Sequence, residues 1–126
     1  MTSKPKKKKK KSAEQCELDE NENVKENKIE IVHRINENSA LVREAELAGR
    51  DPAAQRSLNN LVDQLALGNR NPGIETTNVF KDIYELRSRN GARVYYRQVD
   101  GKIEILAKSV KSNQQKVRNI LKKVYN

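Results

Sequence analysis

The pattern of hydrophobic and polar positions predicts that the first half of the chain begins with a short strand and a helix. Residues 28–34 alternate between apolar and polar side chains, which is typical of a half-buried strand. The next periodic stretch contains Ser39, which predicts an N-cap, and Gly49, which predicts a stop. We therefore expect a strand and then a helix of about ten residues.

A second helix is predicted immediately after the first. Asp51 is a suitable N-cap, Pro52 suits the first turn, and Gly68 marks the end. Its apolar residues recur at helical spacing and form one stripe: Ala54, Leu58, Leu61, Val62 and Leu65. The two helices should thus form a hairpin with an apolar face to bury.

Three strands are predicted after a loop at 69–78. Their approximate bounds are 79–88, 92–99 and 102–110, with Arg-Asn-Gly linking the first two and Asp-Gly the last two. Asp-Gly between two strands is a strong signal for a two-residue hairpin.

The chain is predicted to end in a third helix. Ser112 with Gln115 fits a capping box. Four apolar residues follow at helical spacing: Val117, Ile120, Leu121 and Val124. The predicted fold class is therefore α+β, with a small antiparallel sheet packed against helices in the order β-α-α-β-β-β-α.

Loop lengths of three residues (89–91) and two residues (100–101) predict the register of the hairpins. One sheet face then carries two core rows, which are Leu86–Val94–Ala107 and Tyr84–Tyr96–Ile105. On the other face, Arg87 is predicted opposite Arg93, and Arg93 opposite Lys108. We call this set the cationic row.

Like charges directly opposite one another destabilise a sheet, and guanidinium groups bind phosphate oxygens through forked donors. The cationic row is therefore a candidate phosphate site, the alternative being that its side chains extend into water. The same register predicts an Arg97–Glu104 ion pair. It places Arg89 at the hairpin tip, as a further candidate contact to RNA phosphate or a side chain that is only solvated. Glu85 lies beside the row as a candidate general base. Tyr95 lies there as a candidate for stacking on a nucleobase or for transferring a proton.

The distribution of charge along the chain indicates a class of partner and a domain boundary. The 126-residue chain has a net charge of +9, which favours a polyanionic partner such as nucleic acid. Residues 79–126 contain twelve Lys or Arg and four acids, a net of +8. Residues 1–27 combine a lysine block with an acidic block and few apolar residues, which predicts a disordered tail before a domain at 28–126.

The sequence gives little indication of a metal site or of a functional histidine or cysteine. The carboxylates and the one histidine, His33, do not cluster as metal ligands, so we expect neither a metal nor a cofactor. His33 shares a predicted face with Ile29 and Ile31 and is expected to be structural. The single cysteine, Cys16, and the lack of a long apolar run favour a cytoplasmic protein without membrane contact.

The stretch VFKDIYELRSRNGARVYYR, followed by DGKIEILAKSVKSNQQKV, resembles the central sheet and last-helix start of the RelE/ParE toxin superfamily. The similarity is to RelE- and HigB-type toxins and covers about residues 28–125. It implies a toxin of a type II toxin–antitoxin system that cleaves messenger RNA at the ribosome without a metal, an mRNA interferase. It also implies a cognate antitoxin as partner.

By motif position, the resemblance makes Arg87 and Arg93 the residues that hold the scissile phosphate. It adds Lys111, in the turn before the last helix, as a basic contact to RNA, and Tyr125 as a candidate proton-transfer group near the C-terminus. Two other functions stay open: a ParE-like toxin that binds DNA gyrase, and a non-catalytic module that binds nucleic acid through the same basic face.

Overall fold

A computed structural model describes residues 28–126 of the chain. The predicted tail, residues 1–27, lies outside the described residues. The elements in chain order are β1 (Ile31–His33), α1 (Ser39–Ala48), α2 (Pro52–Ala66), β2 (Glu75–Phe80), β3 (Ile83–Arg87), β4 (Arg93–Val99), β5 (Lys102–Ser109) and α3 (Gln114–Val124). Short 3-10 turns, Ile35–Glu37 and Lys111–Asn113, precede α1 and α3.

The first two helices form as predicted, with one change at a cap. Asn38, in extended backbone, accepts a hydrogen bond from the Leu41 backbone N–H (3.0 Å), so it caps α1 and Ser39 is the first helical residue. Asp51 caps α2 as predicted by accepting from the Ala54 N–H (3.2 Å). Asparagine is as good an N-cap as serine, and here the earlier residue reaches the free N–H.

The last helix begins at Gln114, so the predicted capping box at Ser112 is wrong. Asn113 organises this turn instead. Its Oδ1 accepts from the Val110 N–H (2.9 Å), and its Nδ2 donates to the Glu44 carbonyl (3.2 Å) and carboxylate (3.1 Å). The start of α3 is therefore held against α1.

The sheet confirms the α+β class but has five strands in the order β1-β5-β4-β3-β2. Strand β1 is parallel to β5, and the other neighbours are antiparallel, so the sheet is mixed rather than wholly antiparallel.

The unpredicted strand is β2, most of which was predicted as loop. A turn at Lys81, whose φ is +51°, divides the predicted long strand in two, and the Asn78 side chain donates to the Lys81 carbonyl (2.9 Å). Residues 75–78 are polar and form an edge strand, so no hydrophobic alternation marked them. The Asp100–Gly101 turn is as predicted, with positive φ at both residues.

Helices cover both faces of the sheet. Helix α3 lies on the face that carries Glu85 and Tyr95, because its polar side chains bind Glu85. Helix α2 lies on the opposite face, where it shares a cavity with Lys108 of β5. The buried core joins both layers and includes Leu41, Leu58, Leu61, Leu65, Leu86, Val94, Tyr95, Ile105, Leu106 and Leu121. Tyr96 is buried as predicted, whereas Tyr84, which stacks on it at 5.9 Å, is 38% exposed.

Candidate functional site

The hairpin β3–β4 has the predicted register. Arg87 lies opposite Arg93, and Glu85 lies opposite Tyr95. The predicted ion pair between Arg97 and Glu104 also forms, with Nε and Oε1 2.8 Å apart. A Ser88 N–H donating to the Ala92 carbonyl (2.8 Å) closes the tip and keeps the arginines in line.

The predicted position of Lys108 beside Arg93 is wrong. The register shifts between Tyr95 and Tyr96, whose partners are Ala107 and Ile105, so Leu106 is an extra residue in β5. This bulge places Ser109 opposite Arg93 and turns Lys108 to the other face, opposite Val94. The three-cation row is therefore an arginine pair, Arg87 and Arg93, next to a serine.

The two arginines of this pair have different surroundings. Arg93 is buried (5% exposed), and its Nη1 donates to the Gly91 carbonyl at 2.7 Å. Arg87 is partly exposed and forms an ion pair with Glu75 of β2 at 2.7 Å. Within residues 28–126, the Nε atoms of both side chains are buried without a hydrogen-bond partner. Two guanidinium groups on neighbouring strands are chemically suited to an anion with several oxygens, which would contact their terminal nitrogens rather than the buried Nε atoms.

Beside the arginine pair lies a buried polar cluster centred on Glu85. The Glu85 carboxylate accepts from the Tyr95 hydroxyl (2.6 Å), Gln114 Nε2 (3.0 Å) and Arg118 Nη2 (2.9 Å). The Tyr95 hydroxyl also hydrogen-bonds to Ser109 Oγ at 2.9 Å. We call these five residues the Glu85 cluster. Glu85 also approaches Arg93, with 4.0 Å between Oε2 and Nε, so the cluster adjoins the arginine pair.

The electrostatics of the Glu85 cluster favour a fixed carboxylate and a neutral phenol. Burial raises the pKa of Glu85, but hydrogen bonds from Arg118, Tyr95 and Gln114 outweigh it and hold the pKa below its usual value. Burial first, and then the hydrogen bond to Glu85, raise the pKa of Tyr95 well above its usual value. In this arrangement Glu85 is an acceptor for α3 and Tyr95, and both side chains are buried.

The sequence did not predict Gln114, Arg118 or Ser109 as members of this cluster. Gln114 and Arg118 are four residues apart, one position after Asn113 and Val117, and thus lie next to the apolar stripe of α3. This four-residue spacing beside the apolar stripe is a pattern from which both residues could be predicted to face the sheet. The role of Ser109 depends on the bulge, which leaves no comparable pattern.

Tyr125 lies elsewhere. It follows the last residue of α3, and the Arg97 guanidinium carbon is 4.9 Å from its ring centroid. Arg97 binds Glu104, which also accepts from Arg34 (3.3 Å), and burial raises the pKa of Tyr125. The structure therefore brings Tyr125 to this ion-pair network and not into the Glu85 cluster.

The other predicted RNA contacts are dispersed. Arg89 is exposed at the tip, and Lys111 is exposed in the turn before α3. Lys108 lines two cavities on the opposite face together with His33, and burial lowers its pKa. His33 was expected in a core face but is exposed, because the helices leave these cavities beside the short strand β1.

Two kinds of site were searched for within residues 28–126. No group of three or more His, Cys, Asp or Glu side chains in this part of the chain is placed to hold a metal ion. None of the helices in the same range has the length and apolar character needed to cross a membrane.

Comparisons of the chain with protein-family models, curated proteins and solved structures find no match.

Proposed function

We propose that the chain is a toxin of a type II toxin–antitoxin system that cleaves messenger RNA at the ribosome. The single observation that carries this proposal is the arginine pair: Arg87 and Arg93 are directly opposed on neighbouring strands. Opposed cations are unfavourable by themselves and favourable around a phosphate. The resemblance of this hairpin to RelE- and HigB-type toxins supports the same role.

In the proposed reaction, the 2′-hydroxyl of the RNA loses its proton to water and attacks the adjacent phosphate. The bond from phosphorus to the 5′-oxygen breaks, that oxygen takes up a proton from water, and a 2′,3′-cyclic phosphate remains. The pentavalent phosphorane carries more negative charge than the ground state, and fixed guanidinium groups stabilise it. Arg87 and Arg93 have this role and need no metal. A phosphate that binds Arg87 would replace the Glu75 carboxylate, which is 2.7 Å from Nη2.

Glu85 and Tyr95 have a positioning role in this proposal. Both are buried; Arg93 Nη1 donates to the Gly91 carbonyl, and Glu85 Oε2 lies 4.0 Å from Arg93 Nε. A guanidinium restrained in this way needs little reorganisation when charge develops on the phosphate. The proposed partners are messenger RNA, the ribosome and a cognate antitoxin, and the proposed compartment is the cytoplasm.

Inducible expression in bacteria, with mapping of RNA 5′ ends, tests the proposal. Wild type should arrest growth and create new ends inside translated messages, whereas Arg87→Gln and Arg93→Lys should lose both effects. Arg43→Gln is the matched control, because Arg43 is an exposed arginine on α1. Intact messages in arrested cells would refute RNA cleavage and point to gyrase. Normal growth with soluble wild-type protein would refute both toxin functions.

One observation favours a second candidate, a non-catalytic module that binds nucleic acid. Neither Tyr95 nor Glu85 is accessible, and the structure places no other predicted proton-transfer group beside the arginine pair. Incubating purified protein with RNA separates the two functions: the module would bind RNA in a salt-dependent way and leave it uncut.

A further inference from the structure

A polar cleft lies behind the tip of the β3–β4 hairpin. It has a volume of about 560 Å³ and is open to solvent between the first half of α2, the segment before β2, and the turn at 88–91. Its lining includes Arg56 and Asn60 from α2, Ile74 from the segment before β2, and Arg89 and Asn90 from the turn. None of the functions considered above uses this cleft as a site.

Among residues 28–126, the charged side chains that line the cleft are both positive. Arg56 and Arg89 are both exposed, and within residues 28–126 neither forms a salt bridge. In the same part of the chain, no carboxylate lines the cleft. Two arginines from different elements, with neutral hydrogen-bonding side chains between them, provide the donors that a phosphate group requires.

The turn at 88–91 borders both the cleft and the arginine pair. The Ile74 N–H donates to the Arg87 carbonyl at 2.8 Å, which attaches the cleft wall to the strand of the arginine pair. On the other side of the turn, Arg93 Nη1 donates to the Gly91 carbonyl at 2.7 Å. The turn at 88–91 therefore lies between the cleft, on the sheet face that α2 covers, and the arginine pair, on the face of Glu85 and Tyr95.

We propose that the cleft is a second phosphate-binding site, which holds a nucleotide of the same single-stranded RNA after that RNA passes over the turn at 88–91 from the arginine pair. Arg56 and Arg89 bind its phosphate. Ile74, which is 49% exposed at the rim, supplies an apolar surface for the base. This inference rests on the proposed function, because it takes RNA as the ligand of the neighbouring pair.

Binding of a labelled hexaribonucleotide to the full chain tests the cleft. The RNA carries 2′-O-methyl groups, so that the proposed nucleophile is blocked and binding is measured without cleavage. Arg56→Gln and Arg89→Gln should each weaken binding several-fold and lower the slope of log Kd against log salt by about 1. Arg43→Gln, an exposed arginine outside the cleft, should leave both quantities unchanged.

The same assay with Arg87→Gln separates the two sites. If Arg87→Gln weakens binding and the cleft variants match Arg43→Gln, the second site is refuted and the proposed function stands. If the cleft variants weaken binding and Arg87→Gln does not, the cleft is an RNA site and the assignment of the arginine pair fails. If the cleft variants lose affinity only for an oligoglutamate peptide, the ligand is an acidic protein segment, and the RNA assignment of the cleft is overturned.

Discussion

Tyr95 donates a hydrogen bond to Glu85 across 2.6 Å in the interior, between two strands that face the last helix. The pair lies directly cross-strand, and Glu85 in turn binds Gln114 and Arg118 of α3. One buried carboxylate thus connects β3, β4 and α3. Because removal of one partner leaves buried polar atoms unsatisfied, the stability of the fold should be sensitive to each member.

Tyr95→Phe is expected to destabilise the protein by about 1–3 kcal/mol, since it removes the donor to Glu85 and leaves the Ser109 hydroxyl without this partner. Denaturation in urea, followed by circular dichroism, measures the change. Tyr84→Phe is the control, because Tyr84 is 38% exposed and should change stability by less than about 0.5 kcal/mol. Equal effects of the two substitutions would show that the buried hydroxyl adds no net stability.

The lowered pKa of Glu85 predicts acid sensitivity. A carboxyl whose pKa is lower in the folded than in the unfolded state stabilises the fold above the unfolded value, about 4.3 for glutamate. That contribution is lost as pH falls through the folded pKa. The contribution of Glu85 to the free energy of unfolding should therefore be fully present at pH 7 and decrease below about pH 4.

Glu85→Gln should lower stability at pH 7 and make this pH dependence shallower, as measured by urea denaturation at a series of pH values. Glu104 also has a pKa below its usual value, through Arg97 and Arg34 against the opposing effect of burial, so part of the slope should remain. Glu104→Gln is the matched comparison. A Glu85→Gln protein as acid-sensitive as wild type would contradict the assigned state of this carboxylate.

The sequence predicted the pairing of Arg87 with Arg93 because hairpin loop lengths determine register locally. It also predicted Arg97 with Glu104, which lie close to the two-residue turn. It failed at Lys108, because one extra residue in β5 reverses which face later side chains occupy. It also missed the Glu75–Arg87 contact, since the polar edge strand β2 lacks the alternation that identifies a strand.

Glu75→Gln is expected to strengthen RNA binding. In the free protein the Glu75 carboxylate forms an ion pair with the Arg87 guanidinium. Replacing this carboxylate with a neutral amide makes the guanidinium available to a phosphate. Stability should change by less than about 1 kcal/mol, because the pair is solvent-exposed. Fluorescence anisotropy with the 2′-O-methyl hexaribonucleotide gives the affinity.

Glu30→Gln removes the same charge from a pair that Glu30 forms with Lys102 at 3.8 Å, and it controls for net charge. A similar gain in affinity from both substitutions would indicate a general electrostatic effect. A gain from Glu75→Gln alone supports Arg87 as the phosphate contact.

The bulge at Leu106 makes β5 one residue longer than its pairing with β4 requires. Because Ile105 and Ala107 pair with the consecutive residues Tyr96 and Tyr95, deletion of Leu106 would leave these partners in place, with Ser109 still opposite Arg93 and Lys108 on the other face. A homologous chain with a regular β5 would therefore keep the site with one residue fewer between the Asp100–Gly101 turn and Ser109. For recognising such chains, the spacing has to be counted with and without this extra residue.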